Sequence, residues 1–597
     1  MRRTYILGLF LLLSLSLFVP RQPTTQAQRV DITNHRETML QLVEDFIYAS
    51  DFGSIDTTTF DLVANSGDLL YLAPLIDIAY FTRSFLFAEL NTPIFYALET
   101  LGEQDFDTNW RTWFEWAGAN NLPLPPGYDE FKGELYSRLI DDRFAQFFPA
   151  GVMDSANVNL VEVVWGGVQV DGIPALVNPR QITPEEALAE GEDNRQFCRE
   201  RDCAYPASDE LVFGVSINGD NRAYPLRILN WHEMFNDIIG QTPLYDAPNG
   251  QVICNFRAPA NLTANARQGD TWVQINGLSA GCPTQGWATA DAIEWTNADW
   301  ETVSVQLPDI GADEQALSLT ESIAGHVRGT PVMLAYCTLC GGGVLYNPVI
   351  ENLVVDGQAL GRTHLEFSST GMLMRSNKLM YDRLTNTVWN AITGETAFGP
   401  LAAGDITLER LPVVVTDWGT WLLEHPDTSV LSLETGYTRD YTNGAAYAEY
   451  FNDPNFIMFP VWQQDTSQQE NKEVVFTLVL DDTPKAYPLA TIIPEAVVND
   501  TLGGVEVVII ARENPEREFS EPGGASVRAY ERGNHTFTLG ANYRELIDEN
   551  GALWRVTEEN IVSTNGETLP RIAGHLAFWF GWYGFYPNTL VYERANN

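Results

Sequence analysis

Residues 31 to about 150 carry apolar side chains at helical spacing. Met39, Leu42, Val43, Phe46 and Ile47 predict a helix over 38–48, and the pattern continues over 69–80 and 92–101, with Pro74 and Pro93 near helix starts. Trp110, Trp113, Phe114 and Trp116 recur every three or four residues, so they share one helix face. That spacing predicts a packing core rather than a ligand-stacking platform. After the rigid stretch 122–128, a last helix is expected over 130–148. Short paired helices of this kind resemble a HEAT-like array, although no clean period emerges. Residues 151–204 are rich in loops and prolines and read as a linker and lead-in.

From residue 210 the apolar period drops toward two. Residues 212–217 alternate as a strand, 218–221 form a hairpin turn, and a short helix then carries Trp231, His232, Glu233, Asn236 and Asp237. This segment occurs twice. Residues 212–237 align without gaps to 475–500, and both copies keep Val-Phe, Ala-Tyr-Pro-Leu and Asn-Asp at the same offsets. Trp389, Trp418 and Trp421 have counterparts in Trp554, Trp579 and Trp582. Such agreement reads as an internal duplication. The expected fold class is a multidomain α+β chain, with a helical region at 31–150 followed by two related β-rich modules. The modules span 205–445 and 471–597, and a linker at 446–470 joins them.

The two copies differ where chemistry is expected. Cys337 aligns with about Ala511, Cys340 falls near Asn514, and His232 aligns with Glu495. The shared framework is expected to be structural. Residues found only in the first copy are the candidates for function, with the second copy a degenerate structural partner.

A chain of 597 residues exceeds what one core supports. Its net charge of −44 excludes recognition of nucleic acid or anionic lipid through a basic surface, and is read as serving solubility. Arg2 and Arg3, an apolar run over 5–19 and small residues up to Ala27 predict an export signal at 1–27. The mature protein is then expected outside the cytoplasm (secreted, periplasmic or at the cell surface), with no stable membrane span and an unknown protein or small-molecule partner. In that compartment the six cysteines become informative. Spacing pairs Cys198 with Cys203 and Cys254 with Cys282, which leaves Cys337 and Cys340 for metal or redox work.

Several motifs, falling in order, carry a family resemblance. They are Arg222-Ala-Tyr-Pro-Leu, Trp231-His232-Glu233 with Asn236-Asp237, Tyr336-Cys337-x-Leu339-Cys340-Gly341, Ser368-x-x-Gly371, a run from Asn377 to Tyr381-Asp382-Arg383, Trp389, and Pro426-Asp427. Together they resemble the DUF3179 family. The resemblance covers 205–445 well and the second module more weakly. It departs from the family pattern by an insertion at 241–329, which carries Cys254 and Cys282. It implies a bacterial or archaeal protein, often exported, and no established activity.

The site must therefore be weighed from residues. A Cys-x-x-Cys followed by glycine resembles half of a zinc knuckle, and thiolates at this spacing suit a Zn or Cu ion. His232 is the expected third ligand, with His326 as second choice, and Glu233 a supporting or acid/base group. Thiol–disulfide exchange ranks lower, because glycines and a strand rather than a helix follow the pair. A non-catalytic binding module with a structural cysteine pair is the main alternative. Hydrolysis by paired carboxylates among Glu233, Asp237, Asp382 and Glu366 is a further reading, with Arg383 bordering the site. His425 reads as a helix-end residue. No nucleophile elbow, phosphate loop or dinucleotide fingerprint is present. Whether the chain is an enzyme stays open.

Overall fold

The computed structural model describes residues 31–594 except 53–55, 84–90, 194–204, 278–281, 297, 311–322, 356, 443, 445, 463 and 515–522. The expected export signal and the Cys198–Cys203 pairing lie outside the described residues.

Helices form where the apolar spacing placed them: His35–Phe52, Leu72–Phe81, Asn91–Gly102, Trp110–Asn120 and Tyr128–Leu139. The last is shorter than expected, and Asp142–Phe147 continues as a tight 3-10 turn. Leu72–Phe81 is apolar all round and buried along its whole length, which is how a helix without a polar face is accommodated. The other helices surround it instead of stacking in successive pairs as a HEAT-like array would. Its one carboxylate, Asp77, is neutralised by Lys132 at 2.9 Å and accepts a hydrogen bond from Tyr128 at 2.5 Å. Trp110, Trp113 and Phe114 are core residues, and Trp116 is partly buried beside them.

Among the described residues, three five-stranded sheets build the first β-rich module together with the segment before it. One runs Val163–Trp165, Phe367–Met374, Asn377–Asp382, Val388–Asn390 and Thr396–Phe398. The second runs Leu176–Val177, Met234–Ile239, Thr330–Cys337, Gly342–Asn347 and Glu409–Leu411. The third runs Val414–Asp417, Leu211–Ile217, Asp220–Pro225, Ser429–Leu431 and Gln181–Ile182. Residues 151–204 are therefore not a passive connector, since they add one short strand to each sheet. A single apolar core runs from the helices into this module through Val163, Met333, Trp389 and Phe398.

The insertion folds as its own seven-stranded sheet around Leu244, Phe256, Val273, Ile293 and Val327. Cys254 and Cys282 are joined in a disulfide there, as their spacing suggested.

The second module repeats local geometry of the first. Tyr224 donates to Asp237 at 2.6 Å, and Tyr487 to Asp500 at 2.8 Å. Asn236 exchanges two hydrogen bonds with the backbone of Phe367, and Asn499 does the same with Phe537. The indole of Trp389 donates to Asp382 at 3.0 Å, and that of Trp554 to Asp548 at 3.1 Å. Trp421 reaches Thr428, and Trp582 reaches Thr589. The two modules share one core, with Phe213 and Trp421 on one side and Phe476 and Ile509 on the other. Among the described residues no helix is long and apolar enough to cross a membrane.

Candidate functional site

The cysteines sit at the tip of a hairpin. Thr330–Cys337 pairs with Met234–Ile239 on one side as far as Ala335, and with Gly342–Asn347 on the other from Met333 to Cys337. The chain then turns through 338–341, where Gly341 adopts φ +62°, a left-handed conformation open to glycine at little cost. The turn is tied down from outside. Tyr450 donates to the Leu339 carbonyl at 2.6 Å, and the Phe578 amide donates to the Cys340 carbonyl at 2.7 Å.

Both thiols are free and buried. The Cys340 thiol donates to the Cys337 carbonyl at 3.5 Å. Burial pushes the Cys337 thiol up, but hydrogen bonding from the Cys340 side chain and the nearby backbone outweighs it, so the group lies below its ordinary range. Cys340 lies well above its ordinary range, through burial first and then through the hydrogen bond it donates and the charge of its neighbour.

Glu233 is the nearby carboxylate. It closes the helix Leu226–His232 at φ +51°. One of its oxygens accepts from Lys378 Nζ at 2.6 Å and the other from the Thr338 hydroxyl at 3.0 Å. Sequence reasoning missed Lys378. The available signal was a lysine within the otherwise buried strand Asn377–Asp382. It also missed the cover. Residues 446–470, expected as a linker, fold back as the short helix Ala448–Asn452 and lay Tyr447 and Tyr450 against the thiol site. Burial raises the Tyr447 phenol, with the charges of Glu233 and Cys337 adding to the effect.

The second module closes the far side. Gly581, in the helix Trp579–Tyr583, lies on Cys340, where a Cβ would come within 2.6 Å of the cysteine Cβ. Gly581→Ala is therefore expected to destabilise the fold by about 1–3 kcal/mol, the usual range for overpacking. It should also displace the hairpin tip, measurable as a lower denaturation midpoint together with faster modification of the buried thiols.

His232 does not join this group. Its side chain leaves the helix end toward Pro174 and Tyr441. Nδ1 is 2.9 Å from the Pro174 carbonyl, and Nε2 is 2.6 Å from the Tyr441 hydroxyl. Both ring nitrogens are thus engaged, and no cluster of three metal-ligating side chains among the described residues contains His232 with the two thiols. His326 is on the insertion beside Glu294, at 3.6 Å. Asp382 is buried under Trp389 and Thr385, and burial raises its carboxyl. Arg383 is half-exposed between Glu366 and Asp171. Asp237 is consumed by Arg222 and Tyr224. The carboxylates considered for hydrolysis therefore have separate structural partners.

A different trio brings its donor atoms within 4.8 Å: Glu424, His425 and Glu558. His425 is the C-cap of Trp418–Glu424, the helix-end position expected of it. This cluster could hold a metal by its donor types. However, Arg528, Arg544 and Arg571 all pair with Glu558. Burial opposes ionisation of Glu558, but the charges of Arg528 and Arg571 hold it well below the usual carboxylate range. An added cation would meet three guanidiniums there.

The family model described as "Protein of unknown function (DUF3179)" matches residues 170–245 and 314–589, more than half of the chain. The chain belongs to the DUF3179 family. No curated protein and no solved structure matches it. The DUF3179 match spans both β-rich modules and the cover at 446–470, and it begins inside the segment expected as a linker. It omits 246–313, most of the insertion with its disulfide. The thiol hairpin, Glu233, Lys378 and Gly581 all fall within the DUF3179 match.

Proposed function

We propose that this DUF3179 protein is exported and binds one thiophilic metal ion through Cys337 and Cys340. The observation that carries this reading is the knuckle itself. Two free thiols lie three residues apart on a fixed hairpin tip. Hydrogen bonding holds the Cys337 thiol below its ordinary range, which favours the thiolate, the ligand form of cysteine. The donor set fits a soft ion. Two sulfurs without a convergent histidine suit Cu⁺ better than Zn²⁺, whose closed sites take four ligands. When bound, such an ion supplies a soft Lewis-acid or one-electron centre. The protein's own part is to fix both sulfurs, exclude water with Tyr447 and Tyr450, and hold the Glu233–Lys378 pair alongside.

The second reading is a non-catalytic extracytoplasmic binding module whose cysteine pair is structural, and the complete burial of both thiols favours it. We infer also that the two β-rich modules descend from one duplicated unit, on the recurring Tyr–Asp, Asn–Phe and Trp–Asp pairs.

Anaerobic titration of the mature chain with Cu⁺ and with Zn²⁺, beside a Cys337→Ser/Cys340→Ser variant, separates the readings. About one equivalent taken up by the wild type and lost in a folded variant supports the metal centre. No uptake, with the two thiols found oxidised to each other, supports the structural pair.

A further inference from the structure

The second module places a different chemistry at the counterpart of the thiol site. Tyr336 N–H donates to the Glu233 carbonyl at 2.7 Å, and Ala511 N–H donates to the Ala496 carbonyl at 2.9 Å, with Glu233 and Ala496 both at positive φ. That register sets Arg512 where Cys337 stands, one residue beyond the position the sequence alignment indicated. The matching Trp389–Asp382 and Trp554–Asp548 pairs set Arg544 where Lys378 stands. The facing helices correspond as well. Trp579–Tyr583 of the second module closes over the thiols, and Trp418–Glu424 of the first module faces the arginines.

Here the packing stays open. Between the modules lies a cleft of about 1070 Å³, lined among others by Arg512, Arg544, Arg555, His425, Asn542 and Asn560. Behind it Arg528, Arg544 and Arg571 pair with Glu424 and Glu558, and Glu559 also lines the cleft, so Arg512 and Arg555 are the guanidiniums left to meet a ligand. Among the described residues the nearest carboxylate to Arg512 is Asp417, at 4.0 Å. Arg555, on the exposed face of Leu553–Val556, makes no ion pair among the described residues. In a chain of 79 acidic and 35 basic residues, two arginines on one cleft with no carboxylate nearer than 4.0 Å among the described residues are not a solubility feature. Guanidinium is the side chain best matched to a planar or tetrahedral oxyanion, which it can hold by two parallel hydrogen bonds.

We propose that this cleft is a second ligand site, which takes a small molecule through a carboxylate or phosphate group bound by Arg512, with Arg555 at the rim. The second module is then a binding partner to the thiol module rather than a degenerate copy. A cation at Glu424, His425 and Glu558 is the rival, and the three arginines on Glu558 oppose it.

The test is calorimetric titration of the full mature chain with inorganic phosphate and with citrate at pH 7 and low salt. Arg512→Ala and Arg555→Ala are measured in parallel, with circular dichroism and thermal melting to verify folding. The proposal expects at least one probe to bind with a Kd below about 1 mM. It also expects at least tenfold weakening in Arg512→Ala, and further loss on adding salt. Which probe binds separates phosphate from carboxylate. Absence of binding by both probes, or equal binding by the wild type and both folded variants, overturns it. So does Zn²⁺ uptake that His425→Ala abolishes while neither anion binds.

Discussion

Lys378→Met is expected to cost about 3–5 kcal/mol of folding stability, while Glu233→Gln/Lys378→Met regains most of that loss. The ammonium and the carboxylate are 2.6 Å apart, and their side chains are only 4% and 8% exposed. Removing the lysine leaves Glu233 charged in a site that water barely reaches, with the Thr338 hydroxyl as its remaining side-chain partner among the described residues. A buried charge without its counter-ion is costly, whereas removing both charges exchanges a desolvated pair for apolar contact. Denaturant unfolding, followed by a probe in the first module, measures the difference. A single variant within about 1 kcal/mol of the wild type would contradict the placement of this pair.

The second large effect is acid sensitivity through His232. Burial lowers its pKa to about 4, against an ordinary value of 6.5; the Pro174 carbonyl opposes this, and Arg439 adds to it. The folded value lies below the unfolded one, so the unfolded chain takes up the proton first. The stability tied to the neutral ring is complete above about pH 6.5, declines as pH falls, and is gone below about pH 4. The shift corresponds to about 3 kcal/mol across that window. His575 behaves in the same direction, since burial lowers it to about 3. The contribution of His232 must therefore be read as a difference between the wild type and His232→Gln. The wild type should lose about 3 kcal/mol more than the variant between pH 7 and pH 4. Parallel stability curves would show that His232 is not held neutral between Pro174 and Tyr441.

The sequence made some of this structure readable and hid the rest for definable reasons. The helices were legible because five apolar positions in 38–48 recur at 3.6-residue spacing. The paired modules were legible because Tyr224 with Asp237, and Tyr487 with Asp500, keep the same interval in both copies. Short strands left no signal. Val163–Trp165 forms a strand by pairing with Phe367–Met374, some two hundred residues away. The cysteine hairpin was legible from two thiols followed by glycines, but its third member was misjudged. His232 and Glu233 are adjacent in sequence, yet the helix ends between them and the left-handed backbone of Glu233 sends the two side chains to different partners. Lys378 and the tyrosines at 447 and 450 reach the site through tertiary folding alone, which no local period records.

The central claim is that Cys337 and Cys340 together hold a metal ion, and X-ray absorption at the metal edge of the Cu⁺- or Zn²⁺-loaded mature protein tests it most directly. The account predicts a first shell containing two sulfur atoms, at about 2.3 Å when the ion is Zn²⁺, absent from the Cys337→Ser/Cys340→Ser variant. A first shell of nitrogen and oxygen alone, or a protein that takes up no metal with its thiols reduced, would contradict it.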